Sequence, residues 1–153
     1  MKMELSGTQE IAASRAQLWE ALQDPVVLTK CIPGCKEMIE TAPDEYDVKM
    51  QLKVAAVGGS FDGAVKLFDK AELESCQITV TGGGTLGTGA GTATFTLSET
   101  DAQTTSLDYA GTGEIGGLVA GVGQRVLGSV SKHLTKQFFT ALKKHFAEID
   151  KSA

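Results

Sequence analysis

The chain has no hydrophobic run approaching the roughly 18 apolar residues that a membrane-spanning helix needs. Its first residues, Met1-Lys2-Met3-Glu4-Leu5, lack the apolar core of a secretory leader. Cysteines number only three, an odd and sparse complement that excludes a disulfide scaffold and suits a reducing cytoplasm. Prolines also number three, and aromatic residues make up 6% of the chain. Positive charge is not in excess. Fourteen Lys and Arg against 19 Asp and Glu leave a net charge of −5, and with no basic patch nucleic-acid binding is not expected.

What remains is ordinary globular material plus an excess of glycine. The 153 residues are 42% hydrophobic and 22% charged, a single domain able to bury roughly two-thirds of its unfolded surface. That domain is assigned to residues 1–150, with 151–153 as a tail. A cytoplasmic monomer or small oligomer is expected. Glycine, at 18 residues, needs a local explanation.

Residues 2–12 alternate, with Met3, Leu5, Gly7 and Ile11 on one parity, which predicts a strand with one wet face. Ser14-Arg15-Ala16-Gln17 reads as a capping box opening a short helix that buries Leu18, Trp19, Ala21 and Leu22. Asp24-Pro25 starts a second short helix, apolar at Val26, Val27, Leu28, Cys31 and Ile32, which Pro33-Gly34 stops. Strands follow at 35–41, at 46–54 after an Ala42–Glu45 turn, and, after a Gly58-Gly59 turn, at 61–67. Others are expected at 75–81, 89–98 and 104–115. Their short connections demand antiparallel pairing.

The final segment, from about Leu118 to Glu148, is an amphipathic helix. Val119, Val126, Leu127, Val130, Leu134, Phe138, Ala141 and Leu142 share one broad face, and Arg125, Lys132, Lys136 and Lys143 lie opposite. Lys143, Lys144 and Lys151 suit the negative end of its dipole. One antiparallel sheet has one apolar face, and only this helix is large enough to close it. The predicted fold is therefore α+β, a helix grip. A curved seven-stranded antiparallel sheet wraps a long C-terminal helix, with two short helices after the first strand.

Gly63, Gly89, Gly91, Gly111 and Gly113 fall on the inward parity, where they contribute no volume. They serve either to bend the sheet or to leave an apolar cavity beneath the helix, and both can hold together. On the second reading Gly111 and Gly113 are empty cavity wall, and Gly116-Gly117 is the hinge from sheet to helix. Glycines 111, 113 and 116 also spell the dinucleotide-binding pattern, but no parallel strand and no acidic residue about 20 positions on follow it. The glycines between 82 and 91 lack the Gly-Lys-Ser/Thr ending of a phosphate loop. Cys31, Cys35 and Cys76 fall short of a zinc set, and neither His133 nor His145 has a partner that would make it a general base. No catalytic residue and no metal ligand is assigned.

Trp19-Glu20-Ala21-Leu22-Gln23-Asp24-Pro25, Cys31-Ile32-Pro33-Gly34-Cys35, Gly59-Ser60-Phe61-Asp62-Gly63 and Gly116 through Leu127 carry a resemblance to a known family. The chain resembles the carbon monoxide dehydrogenase G-subunit family of the SRPBCC/START-like superfamily, over nearly its whole length. The resemblance implies a helix grip of the START/Bet v 1-like kind, with a deep hydrophobic pocket between helix and sheet. It also implies an accessory role beside a carbon monoxide dehydrogenase-type molybdenum hydroxylase, with a quinone or lipid-like ligand, no covalent cofactor, and peripheral contact with the inner face of the membrane. Longer members append an apolar C-terminal segment, and none follows Ala153, so anchoring through such a segment is not expected.

Together these readings describe a non-enzymatic protein binding a long hydrophobic ligand. Leu28 and Ile32 would form its lid, Met50, Leu52, Phe61, Val65, Phe95 and Tyr109 the sheet wall, and Val126, Val130 and Leu134 the helix wall. Tyr109 offers a hydroxyl that could orient a ligand carbonyl or headgroup. The alternatives are a docking module for the hydroxylase that needs no ligand, and a small cyclase or hydrolase using the same cavity.

Overall fold

A computed structural model describes residues 1–53, 59–85 and 87–152, with side chains described as far as Ile149. Strand β1 (Lys2–Ile11) leads into helices α1 (Arg15–Ala21) and α2 (Pro25–Cys31). Six strands follow: β2 (Cys35–Ala42), β3 (Glu45–Leu52), β4 (Gly59–Ala71), β5 (Ser75–Gly84), β6 (Gly87–Asp101) and β7 (Thr104–Gly116). A 3-10 turn (Leu118–Val122) precedes helix α3 (Gln124–Ser152). The seven strands form one sheet in the order β1-β7-β6-β5-β4-β3-β2, antiparallel throughout. Val54 and Gly58, which the sequence reading placed in a strand and a turn, lie outside the described residues.

Local chemistry explains the borders. The Ser14 amide donates to Gln17 Oε1 at 3.0 Å while the Gln17 amide donates to Ser14 Oγ at 3.2 Å, completing the capping box of α1. Asp24 Oδ1 accepts from the Val26 amide, and Pro25 takes the first helical position of α2. Gly34 ends the turn that follows. Its φ of +75° is left-handed, and a Cβ there would sit 2.5 Å from the Gln51 carbonyl oxygen, so only glycine fits. The long helix begins later than its apolar pattern suggests. Gly117 and Gly123, at φ of 84° and 94°, interrupt the backbone, and the residues between them wind as a separate 3-10 turn.

The main core lies under the C-terminal half of α3. Phe139, Leu142 and Phe146 pack with Ile11, Leu18, Trp19, Leu67, Cys76, Phe95, Leu97 and Leu107. Trp19 meets Phe95 edge to face at 6.1 Å. The buried Thr105 hydroxyl donates to the Ala13 carbonyl at 2.9 Å, so its polarity is satisfied. The α1–α2 junction is fastened to the sheet by polar contacts. Tyr46 Oη donates to the Gln23 carbonyl at 3.2 Å, and Lys70 Nζ reaches Asp44 Oδ1 at 2.8 Å and Gln23 Oε1 at 3.2 Å. The Asp44 hydrogen bond raises the Lys70 pKa.

His145 stacks edge to face on Phe146 at 5.2 Å, and its pKa is lowered, first by desolvation and then by Lys30. A histidine held neutral in the folded state binds fewer protons than in the unfolded chain. Its contribution is therefore intact above about pH 6.5 and is lost as pH falls through the folded value. Chemical denaturation at pH 7.5 and 5.5 should show a loss of stability that shrinks in His145→Gln.

Candidate functional site

Cross-strand pairing fixes which side chains face the helix. Val65 pairs with Tyr46 on one side and Val80 on the other, and Val80 pairs with Gly91, so these residues share the concave face. Tyr46 is buried in the main core, yet Val80 is 45% exposed. Met3, Leu5, Met50, Leu52, Phe61, Ile78 and Ile115 on the same face are only partly buried. A helix packed flush on the sheet would bury them all. The α3 backbone instead makes its close approaches to β1, α2 and the 3-10 turn.

The helix face changes in character along its length. Gly128 and Phe146 are about five helical turns apart and so share one azimuth, with Ser131, Thr135, Phe139 and Leu142 close to it. Toward the C-terminus this face carries Phe139, Leu142 and Phe146, all buried. Toward the N-terminus it carries Gly128, Ser131 and Thr135, and a Cβ built on Gly128 has no described atom within 4 Å. The Thr135 hydroxyl turns back to the Ser131 carbonyl at 2.8 Å. Large side chains fill one half of this helix face, and the other half carries small ones. A second, smaller apolar cluster closes the far end, where Val119 and Leu127 are buried with Met1, Met3, Leu52, Phe61, Ile115, Val122 and Val130 against them.

The residues expected to line a pocket divide among these regions. Phe95 is buried in the main core, and Val65 and Tyr109 pack against it. Leu52, Phe61 and Val130 belong to the smaller cluster. Leu28 is buried in α2, while Ile32, Met50 and Leu134 are half-buried and belong to neither cluster. Val126 is 40% exposed, and its neighbour Leu127 is the residue turned inward. The sequence reading missed Gly128, Ser131 and Thr135, because a small residue on a helix gives no hydrophobic signal.

Tyr109 stacks on Phe139 at 5.1 Å. Its hydroxyl lies against Gly7, where an added Cβ would meet it at 2.5 Å, and it has no hydrogen-bond partner among the described residues. The wall itself carries no charge. On the helix-facing parity of residues 46–52, 61–67, 76–84, 89–97 and 105–115 there is no Asp, Glu, Lys or Arg. Burial raises the pKa of Cys31, Cys35 and Cys76, which keeps these thiols protonated at neutral pH.

The glycines of the sheet answer chiefly to curvature. A Cβ on Gly63 would sit 2.7 Å from the Thr81 carbonyl oxygen, and one on Gly91 would sit 2.8 Å from that of Thr112. Gly111 and Gly113, expected as empty wall, are likewise crowded by their neighbour strand: Ala93 Cβ at 3.0 Å and Ala90 O at 3.2 Å. Gly63→Leu should thus destabilise the protein by roughly 1–3 kcal/mol in thermal denaturation, instead of simply filling a cavity. Three open grooves floored by backbone lie on the convex side of the sheet, among Ser6, Thr92, Thr94, Thr112, Thr81 and Asp62. The space between α3 and the concave face is the better candidate, because a helix lies over it and its sheet side is apolar.

Seven antiparallel strands gripping a C-terminal helix, with two short helices after the first strand, define a START-like helix-grip domain. The solved structures agree. A START superfamily protein from Mycobacterium smegmatis aligns at TM-score 0.76 and 17% identity, covering 95% of this chain and 98% of that one. The Zhui aromatase/cyclase from a Streptomyces species aligns at 0.71 and 16%, covering 95% and 93%. A conserved protein from Geobacillus kaustophilus aligns at 0.92 with 32% identity, covering 95% and 96%. No curated protein matches the sequence significantly. The family model for the carbon monoxide dehydrogenase G-subunit (CoxG) matches residues 7–147, and the chain belongs to that family. No helix among the described residues is long and apolar enough to cross a membrane.

Proposed function

We propose that the protein is a non-enzymatic accessory protein that holds a long hydrophobic molecule, a quinone or a lipid-like chain, between α3 and the concave face of the sheet. The observation that carries this reading is Val80: an apolar side chain on the helix-facing parity, left 45% exposed. Burying an exposed apolar surface of this kind is worth roughly 25 cal/mol per Å², so an apolar guest has a driving force there. The family name supports a partner, a carbon monoxide dehydrogenase-type molybdenum hydroxylase, and the proposal adds a role linking that enzyme to the membrane.

Titration of the purified protein with menaquinone, followed by quenching of Trp19 fluorescence, tests the ligand. Saturable quenching at about one menaquinone per chain is expected. No quenching, together with no competition against a fatty-acid probe, contradicts the reading. Affinity capture of the hydroxylase from the native host tests the partner. Capture with unchanged yield after the cavity has been blocked would favour a docking module that needs no ligand. Turnover of a polyketide-like substrate would favour a cyclase instead.

A further inference from the structure

The 3-10 turn between β7 and α3 is built unlike the rest of the rim. Leu118, Val119, Ala120, Gly121 and Val122 are all apolar or glycine, and Gly117 and Gly123 bracket them. Both bracketing residues adopt backbone angles that L-residues rarely reach: φ 84°, ψ −159° and φ 94°, ψ 154°. The backbone of the turn closes only on itself among the described residues. The Ala120 amide donates to the Gly117 carbonyl at 3.2 Å and the Gly123 amide to that of Ala120 at 3.4 Å. A Cβ on Gly121 would have no described atom within 4 Å, and Leu118 is 77% exposed. Two side chains hold the turn, the buried Val119 and the half-buried Val122 packed against it and Leu127. Val119 is buried to 8% exposure beside Leu127, at the end of the grip that Leu52 and Phe61 also line.

We propose that Leu118–Val122 is the gate of the cavity: it swings about Gly117 and Gly123 to admit and release the apolar ligand, with Val119 as its plug. The proposal rests on the ligand-binding reading above. A segment with glycine at both ends and, among the described residues, no backbone bond outside itself and its two glycines can move as a unit without breaking the sheet or α3. The open state then needs to be only roughly 0.1–10% populated to set the exchange rate.

Alanine at Gly117 or Gly123 cannot relax into the closed geometry, so it strains the closed gate with or without ligand. Association and dissociation should speed up together, leaving affinity nearly unchanged. Stopped-flow exchange of dansyl-undecanoic acid on the full chain reads this directly. Gly117→Ala and Gly123→Ala should raise both rates roughly five- to tenfold, with the dissociation constant within about twofold. Val119→Ala, which leaves the backbone free, should speed exchange in the same direction and serves where a glycine variant does not fold. Asp69→Ala, at a left-handed position of φ 48° on β4, controls for general destabilisation and should leave both rates unchanged. If wild type binds the probe but the gate variants exchange at its rate, or if Asp69→Ala speeds exchange equally, the gate is wrong and the ligand reading stands. If wild type binds neither the probe nor menaquinone, both fall together.

Discussion

Gly128→Phe should lower affinity for an apolar ligand about a hundredfold while leaving the melting temperature unchanged or higher. Gly128 lies on the azimuth of the buried Phe146, but no described atom lies within 4 Å of where its Cβ would stand. A phenyl ring placed there enters the space proposed for the ligand. Displacing about 100 Å² of ligand contact, at roughly 25 cal/mol per Å², removes about 2.5 kcal/mol of binding, close to a hundredfold. The same ring gains apolar burial, and any residue but proline is a better helix former than glycine by a few tenths of a kcal/mol. Menaquinone titration and thermal unfolding on one preparation check both halves. Weaker binding with lower stability would mean that the site was already packed, and unchanged binding would place the ligand elsewhere.

Phe95→Ala should cost about 3–5 kcal/mol of stability, the usual range for removing a buried aromatic ring. Phe95 is 6% exposed and meets Trp19 edge to face at 6.1 Å, joining α1 to the centre of the sheet. Urea denaturation measures the loss. The two variants probe two halves of one interface: Phe95 is packed in the main core, and a Cβ at Gly128 would meet no described atom within 4 Å. Affinity lost in Phe95→Ala should therefore track the unfolded fraction, and a folded Phe95→Ala protein with abolished binding would make Phe95 a wall residue after all.

Much of this architecture was legible in particular residues. Tyr46, Val48, Met50 and Leu52 alternate because one face of β3 meets the interior, and the observed pairing keeps that parity. Ser14 and Gln17 announced the start of α1, and Asp24-Pro25 that of α2, since each end must satisfy its own free amides. The interior was harder to read. Helical periodicity gives a broad face but not its centre, so Val126 and Leu127 looked alike until packing placed one at 40% and the other at 6% exposure. The glycines misled in a physical way. A strand glycine reports close approach without saying of what, and at Gly63 and Gly91 the approaching group is the backbone of the next strand, not a ligand. The small half of the inward helix face was written instead in Gly128, Ser131 and Thr135. A contrast with Phe139, Leu142 and Phe146 on the same azimuth would have found it.

The dinucleotide look of Gly111, Gly113 and Gly116 resolves in the same terms. Gly111 and Gly113 lie inside β7, and Gly116 is its last residue, so none of them opens a helix whose amides could face a phosphate. Gly117 and Gly123 are the glycines whose conformation sets the junction with α3.

The central claim is that an apolar molecule occupies the space between α3 and the sheet. Organic extraction of protein purified without detergent from its native host, followed by mass spectrometry against a Gly128→Phe control, tests it most directly. A quinone or lipid recovered at about one molecule per chain, and depleted in the control, is the expected result. Extracts with no apolar molecule, or with equal amounts from both proteins, would contradict it.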